Sequence, residues 1–400
     1  MPKKRKNIFK KKTEADKPDL TILIFTVSMI IFGIIMVFDS SVFVANQPPF
    51  NDPYHFLRLH FVWVLIGIIP SVLIYLWDYR KFSKLIIPAM VINILMLILV
   101  LFSGNAVNGS HRWLRFGSDQ LVLQPAEFIK PIFIVYIATW LAKERPYYKN
   151  FKDALKLGFG QKLIGFSLTL GLVLLLIVLE PDLGTTLVIG ATAFAVFLVS
   201  GTDFAHLLGS AFVTGVFGLM AGIAAILAPY RLKRVQTYIH LFFTGQVDDP
   251  QGRGYQIQQI LIGIGSGGFW GKGFGQSRQR SGYLVELTAF TDSIFAVILE
   301  ELGMIGGIIF IIAWILFLRA GLKVARNAPD RQGKLIAVGI TIWLTLQAFF
   351  HMAANLGVIP LTGMPLPFVT YGGSGTIVAM IGVAILLNIS KFQIAEKKHS

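Results

Sequence analysis

Long apolar stretches separated by short polar segments dominate the pattern of residues along the chain. Most stretches hold about 17–25 residues, the length at which an α-helix spans a lipid bilayer. The first stretch is too long for the core of a signal peptide, so we expect it to be retained. The sequence therefore predicts an all-α integral membrane protein, a bundle of about ten transmembrane helices. The predicted spans are 20–38, 57–77, 85–103, 125–142, 163–179, 183–200, 204–228, 288–318, 335–357 and 374–390.

The polar segments divide the chain into five parts. A basic tail at 1–19 precedes seven spans at 20–228, and a long, partly amphipathic loop follows at 229–287. Three spans occupy 288–390, and a second tail occupies 391–400. If the chain starts in the cytoplasm, 25 of its 36 lysine and arginine residues lie on the cytoplasmic side, as the positive-inside rule requires. We therefore expect both termini in the cytoplasm and the long loop outside it.

Composition narrows the class of protein further. Charged residues make up 14% of the chain, against roughly 25% in a soluble domain. The formal charge of +15 would suit nucleic acid, but basic residues beside membrane spans are ordinary anchors, so we expect membrane lipid and no nucleic acid as a partner. The lack of cysteine excludes disulfides, thiolate metal sites and cysteine nucleophiles.

Polar residues are costly at membrane depth, so segments in which they gather are candidates for function. Before the fourth span, Arg112 and Trp113 suit an anionic headgroup and the membrane interface. Glu127 and Lys130 are three residues apart on one helix face, which favours an ion pair. That pair is as readily structural as functional.

Two further segments carry charge between spans. Glu180 and Asp182 flank a proline between the fifth and sixth spans, and Asp182 suits the N-cap of the next helix. Residues 230–243 mix basic and apolar positions, which is typical of a helix lying in the interface, with Arg231 and Arg234 facing phosphates.

The glycine-dense stretch 263–275 reads either as a mobile loop or as backbone that approaches phosphates together with Lys272, Arg278 and Arg280. Asp292 is predicted near the outer mouth of the eighth span, with Glu300 and Glu301 two turns deeper. The three prolines within residues 360–367 exclude regular helix before the tenth span.

These segments, taken in order, resemble the SEDS family, the FtsW/RodA proteins of bacterial wall synthesis, over nearly the whole chain. The motifs that carry the resemblance are Arg112-Trp113, Gln124-Pro125-x-Glu127-x-x-Lys130, Glu180-Pro181-Asp182-Leu183-Gly184-Thr185, Thr291-Asp292 with Glu300-Glu301-Leu302-Gly303, and Pro365-Leu366-Pro367 with Tyr371-Gly372-Gly373-Ser374. The stretches 229–234 and 273–279 look more like the division-type FtsW than RodA. Val285 replaces the family's usual proline, and Glu286 lies further from Asp292 than in the family pattern.

The resemblance implies a peptidoglycan glycosyltransferase that polymerises lipid II on the outer face of the bacterial cytoplasmic membrane. It implies as partners a class B penicillin-binding transpeptidase and other membrane proteins of the division or elongation machinery. Asp292 matches the catalytic position, where it would act as the general base. A divalent cation suits this chemistry, although no metal-ligand cluster in the sequence requires one. The expected substrate-binding residues are Arg112, Trp113, Lys130, Arg231, Arg234, Lys272 and Arg278, and the expected supporting residues are Glu127, Glu180, Asp182, Glu286, Glu300, Glu301 and Ser374.

Two other functions stay open on the sequence. A transporter or lipid-precursor flippase also carries buried acids and broken helices, but it places its charged site near the membrane midplane. A non-catalytic division scaffold would leave Asp292 dispensable.

Overall fold

A computed structural model describes residues 17–103, 105–107, 110–115, 122–143, 164–180, 182–200, 215, 218, 229–249, 254–281 and 286–393. Within these residues the chain is mostly helical. The helices are α1 (Leu20–Ala45), α2 (His55–Leu76), α3 (Phe82–Ser103), α4 (Pro125–Ala142), α5 (Ile164–Leu179), α6 (Leu183–Val199), α7 (Pro229–Thr244), α8 (Tyr255–Gly267), α9 (Ile294–Arg326), α10 (Arg331–Asn355) and α11 (Gly373–Ser390).

Seven helices in the described part of the chain are long and apolar enough to cross a membrane, namely α1 to α4 and α9 to α11. The shorter apolar helices α5 and α6 coincide with the fifth and sixth predicted spans. The seventh predicted span, 204–228, lies outside the described residues except for Gly215 and Gly218. The all-α membrane fold predicted from the sequence is therefore confirmed.

Three predicted ends differ clearly from the structure, one of them the end of α9, which lies at Arg326, eight residues past the predicted 318. Helix α1 runs to Ala45, seven residues past the predicted end at 38, and α9 begins at Ile294 instead of 288. Short polar side chains set the starts of α1 and α10. Asp19 accepts hydrogen bonds from two backbone N–H groups of the first turn of α1, and Asp330 accepts one from Gly333 N at 2.7 Å. Such N-caps satisfy donors that a helix start leaves unpaired.

Helices α10 and α11 are the most buried of these spans. The apolar span of α10 is 78% buried and that of α11 is 83% buried, against 17% for α2, which faces the surrounding lipid. Helix α10 packs against α4, α6, α9 and α11, and its Trp343 is among the largest fully buried side chains. Its polar residues can therefore reach several neighbouring helices.

Helix α9 is broken one third of the way along. Gly303 has φ 66° and ψ −171°, a left-handed conformation that L-residues with a side chain rarely adopt. The turn 268–275 packs into this break. A Cβ added at Gly303 would lie 2.3 Å from the backbone nitrogen of Gly271. Gly303 therefore serves close backbone contact at a kink, and not only helix–helix packing as its spacing to Gly307 suggests.

A small antiparallel sheet, which the sequence did not predict, covers one end of α3 and α4. Its strands β1 (Asn105–Val107), β2 (Ser110–Arg115) and β3 (Val122–Leu123) pair in the order β1-β2-β3. Arg112 and Trp113 lie on the central strand. The sheet thus holds them beside the start of α4 rather than on a free loop.

At the opposite end of the bundle, polar contacts join segments that are far apart in sequence. The backbone N–H of Asp19 donates to Ser390 Oγ at 3.0 Å. Asn388 Nδ2 donates to Trp77 O at 2.6 Å, and Tyr79 OH donates to Asp330 Oδ2 at 2.5 Å. We call these residues the terminal junction.

Candidate active site

Asp292 lies in a short connection between a 3-10 turn at Glu286–Phe290 and the start of α9. Its side chain is half-buried. Asn355 Nδ2 donates to the backbone oxygen of Asp292 at 3.0 Å, which ties this connection to the end of α10. Gly363, with φ 71°, lies beside the carboxylate, and a Cβ there would be in ordinary van der Waals contact with Asp292 Oδ2 at 3.5 Å. The residue is therefore held in place while its carboxylate stays partly exposed.

The segment that faces Asp292 comprises residues 359–372, and we call it the proline-rich segment. Its prolines prevent helix formation, so its carbonyl groups need partners from elsewhere. Buried polar side chains of α10 supply them. Gln347 Nε2 donates to Pro365 O at 2.9 Å, and His351 Nδ1 lies 2.7 Å from Met364 O. Irregular backbone at membrane depth is tolerated where protein buries it or where it lines a cavity.

The far side of the proline-rich segment contacts a second polar group. Met364 packs so tightly on Gly184 that a Cβ at Gly184 would lie 2.3 Å from Met364 Cγ. Asp182 caps α6 through Thr185 N at 3.0 Å, which confirms its predicted N-cap role. Gln124 Nε2 lies 3.4 Å from Asp182 Oδ2. Ser374 Oγ accepts from Gln124 N at 3.0 Å. The segment thus bridges Asp292 and the Asp182 group.

Glu180 is the least satisfied acid of the site. It has no exposed surface, and neither carboxylate oxygen has a hydrogen-bond partner among the described residues. Arg112 Nε donates to the backbone oxygen of Glu180 at 2.8 Å. The pKa of Glu180 is raised to about 8, mainly by burial; the charge of Asp182 adds to this rise, and Arg112 partly opposes it.

Glu127 and Lys130 form the ion pair that their spacing favours. Lys130 Nζ lies 2.7 Å from Glu127 Oε1 and 3.0 Å from Gln347 Oε1, and the lysine side chain is 1% exposed. The ammonium group is therefore enclosed between α4 and α10 beneath the proline-rich segment. This geometry favours the structural interpretation of Lys130 over the predicted contact with substrate.

Glu300 is the centre of a second buried cluster. Its carboxylate accepts from Lys272 Nζ at 2.6 Å, from Ser277 Oγ at 2.6 Å and from the backbone of Arg278 at 3.2 Å. Glu301 accepts from Ser277 N at 3.1 Å. These acids hold the turn 268–275, and the residues that follow it up to 279, against the break in α9. The interpretation of residues 263–267 as loop is therefore wrong, because α8 reaches Gly267, and the turn after it is bonded to buried carboxylates.

Lys272 thus forms an ion pair with Glu300. The predicted substrate-binding role would instead require its ammonium group to contact phosphates. Arg280 is likewise engaged, since its Nη1 lies 2.5 Å from Asp39 Oδ1 on α1. Sequence reasoning missed Asp39, although a lone acid directly after the first apolar span was the available signal. It also missed Gln347, His351 and Asn355, whose importance depends on contacts with a distant segment.

The remaining predicted site residues lie on β2, on α7 and in the segments before α9. Trp113 is half-buried on β2, and Arg278 is exposed. The backbones of Arg231, Arg234 and Glu286 lie in helical elements, but their side chains are outside the described residues. Among the described residues, no three His, Asp or Glu side chains are grouped to hold a metal ion.

The fold and the site together define a multi-pass membrane protein with a carboxylate at the end of a broken helix, facing an irregular proline-rich segment. The profile of the FtsW/RodA/SpoVE cell cycle proteins matches residues 20–395. The chain belongs to this family.

Individual members of this family are similar to the chain over nearly its whole length. Stage V sporulation protein E of Bacillus subtilis is 35% identical over 389 residues, covering 95% of this chain and 99% of the relative. A probable peptidoglycan glycosyltransferase FtsW of Trichlorobacter lovleyi is 33% identical and covers 93% of each chain.

Solved structures share the fold. A chain from a structure described as "Structural coordination of polymerization and crosslinking by a peptidoglycan synthase complex" has a TM-score of 0.70 and 26% identity, covering 94% of this chain and 99% of that chain. The rod shape determining protein RodA of Thermus thermophilus has a TM-score of 0.65 and 23% identity, covering 95% of this chain and 98% of that chain.

Proposed function

We propose that this protein is a peptidoglycan glycosyltransferase that polymerises lipid II at the outer face of the cytoplasmic membrane, with Asp292 as its general base. The observation that carries the proposal is the contrast between Asp292 and the other acids. Glu127, Glu180, Asp182, Glu300 and Glu301 are all at least nine-tenths buried, whereas Asp292 is only half-buried beside irregular backbone. Among the described acids of the predicted site, it is therefore the one that a substrate can reach.

The reaction requires one proton transfer. A sugar hydroxyl of the acceptor attacks the anomeric carbon of the donor, the bond from that carbon to the lipid-linked diphosphate breaks, and the diphosphate leaves. Asp292 accepts the hydroxyl proton as the new bond forms. Cations near the leaving group stabilise its charge. The exposed Arg278 suits this role better than Lys130 or Lys272, which pair with buried carboxylates.

The assignment to the outer face rests on the distribution of lysine and arginine. The proposal of a class B penicillin-binding transpeptidase as partner is supported by the family and by the synthase complex to which this chain is similar. Several relatives named FtsW support a role in division rather than elongation. Depletion of a division enzyme should give undivided filaments, whereas depletion of an elongation enzyme should give rounded cells.

The decisive experiment measures lipid II polymerisation by the purified protein, with and without the transpeptidase, in magnesium and in a chelator. Asp292→Asn removes the base without changing the size of the side chain. We expect it to lose glycan strand formation while keeping the wild-type melting temperature. Asp248→Asn, at an exposed aspartate of the loop, is the matched control and should keep full activity.

Two outcomes would contradict the proposal. Strand formation by a well-folded Asp292→Asn protein would remove the base from the mechanism. Transport of lipid II across vesicles by wild-type protein, without glycan strands under any condition, would favour the flippase instead.

A further inference from the structure

The turn 268–275 carries three of the most exposed aromatic side chains of the described chain. Phe269 is 65% exposed, Trp270 83% and Phe274 54%. In a soluble protein such a cluster would be an aggregation hazard or a binding surface. In a membrane protein, tryptophan and other aromatic rings gather at the level where hydrocarbon meets the headgroups.

The lipid-facing surface of α9 fixes the height of this turn. Exposed apolar residues of α9 run from Met304 to Leu322. At about 1.5 Å per residue this run is about 27 Å long, close to the roughly 30 Å of a bilayer's hydrocarbon core. Met304 N donates to Gly268 O at 2.9 Å and Ile305 N to Phe269 O at 3.2 Å. The turn therefore lies at one end of the apolar run.

Helix α1 gives the same height independently. It starts at Leu20, within the terminal junction at the opposite end of the bundle. Asp39 follows nineteen residues later, about 28 Å along the helix. Arg280, which pairs with Asp39, also donates to the backbone oxygen of Gly275 at the end of the turn. The Asp39–Arg280 ion pair and the aromatic turn thus lie at the same boundary of the hydrocarbon core.

We infer that the turn 268–275 is a membrane anchor, in which Phe269, Trp270 and Phe274 lie among phospholipids at the hydrocarbon–headgroup boundary of the leaflet on the Asp292 side. The backbone of the turn can lie there because α9 satisfies it. Lys272 N donates to Glu300 O and Gly273 N to Glu301 O, both at 3.0 Å. The exposed ring faces are then free to contact acyl chains and glycerol groups.

The absence of native cysteine makes a direct test straightforward. Trp270→Cys gives a unique site for a nitroxide label, and the protein is reconstituted in phosphatidylcholine–phosphatidylglycerol vesicles. Collision of the label with oxygen and with a water-soluble nickel complex reports its depth. Ile312→Cys on the lipid face of α9 and Gln47→Cys on the exposed loop after α1 are the hydrocarbon and aqueous controls.

We expect the label at 270 to lie at an intermediate depth in the membrane. It should collide with the nickel complex several-fold less often than the label at 47, and with oxygen less often than the label at 312. A value equal to that at 47 would place the turn in water and overturn the inference. Low collision with both reagents would mean that protein, either a second copy or a partner chain, covers the turn, and would overturn it as well.

A label-free measurement guards against misfolding of the cysteine variant. The difference in tryptophan fluorescence between wild-type protein and Trp270→Phe is the emission of Trp270. In wild-type protein this component should be quenched more strongly by lipids brominated near the headgroup than by lipids brominated near the chain end. Equal or absent quenching by both lipids would contradict the inference.

Discussion

At the scale of single residues, burial separates the charged groups that hold the fold from Asp292, the residue that we propose faces the substrate. Lys130 illustrates the first kind, because its ammonium group is enclosed by Glu127 and Gln347. Removal of one member of a buried ion pair leaves the other charge without compensation, at a cost of about 3–5 kcal/mol.

Lys130→Met should therefore lower stability by about that amount, while Lys130→Met combined with Glu127→Gln should recover much of the loss. Thermal unfolding in detergent checks both variants. Equal destabilisation in the single and double variants would show that the pair has no coupling. A stable single variant with selectively weakened lipid II binding would restore Lys130 to the substrate site.

Glu180 should make stability depend on pH. Its carboxyl group holds its proton more tightly in the folded protein, where the pKa is about 8 instead of 4.5. The stability associated with the protonated form is complete below about 4.5 and declines as the pH rises toward about 8. The melting temperature of wild type should fall between pH 5.5 and 8.5, and Glu180→Gln should fall less. Parallel curves for the two proteins would refute the assignment.

Gly363 should be intolerant of a side chain because of its conformation. Its φ of 71° disfavours L-residues, and a methyl group would approach Asp292 Oδ2. Gly363→Ala should reduce polymerisation strongly although Asp292 is intact. Activity of this variant is compared with that of Gly372→Ala, at a glycine whose Cβ would meet no atom within 4 Å. Equal activity in both would show that the proline-rich segment does not set the position of the carboxylate.

At the scale of elements, the junction between the broken helix α9 and the turn 268–275 is the most demanding feature. Gly303→Ala combines about 1–3 kcal/mol of backbone strain with a collision against Gly271. We expect a clear loss of melting temperature.

Gly265→Ala, in α8 with open space around it, is the matched control for Gly303→Ala. It should be neutral or slightly stabilising, since alanine favours helix by about 1 kcal/mol over glycine. A Gly303→Ala variant as stable as Gly265→Ala would show that the helix closes its break without penalty.

The elements were predictable from sequence where one physical rule decides them. Apolar length locates α2, α4, α6 and α11 to within two residues because lipid leaves a helix few alternatives. The break at Gly303 was not predictable, since it depends on Gly271 approaching from a distant segment. The same holds for the β-sheet, whose strands are too short to show a pattern of their own.

The candidate site divides in the same way. Asp292 and the cap at Asp182 follow from local sequence and from family motifs. The environment of Lys130 and Lys272 could not be deduced, because one sequence does not show which carboxylate a lysine will meet across the bundle. Residues such as Gln347 and Asn355 lie inside apolar helical patterns, and only the folded position of the proline-rich segment gives them a role.

At the scale of the whole molecule, the charge distribution predicts the orientation in the membrane. Gln47→Cys and Lys334→Cys each place a unique, exposed thiol at opposite ends of the bundle. A membrane-impermeant maleimide should label the cysteine at 47 in intact spheroplasts and the cysteine at 334 only after lysis. The reverse pattern would invert the topology and place Asp292 in the cytoplasm.

The terminal junction has a consequence for how the protein is made. The backbone N–H of Asp19, just before α1, donates to Ser390, and that of Tyr79, just after α2, donates to Asn388. Both hydrogen bonds are therefore made to residues near the end of the chain. The ribosome delivers those residues more than three hundred positions later. These two contacts can therefore form only after α11 has been synthesised and inserted beside the first two helices.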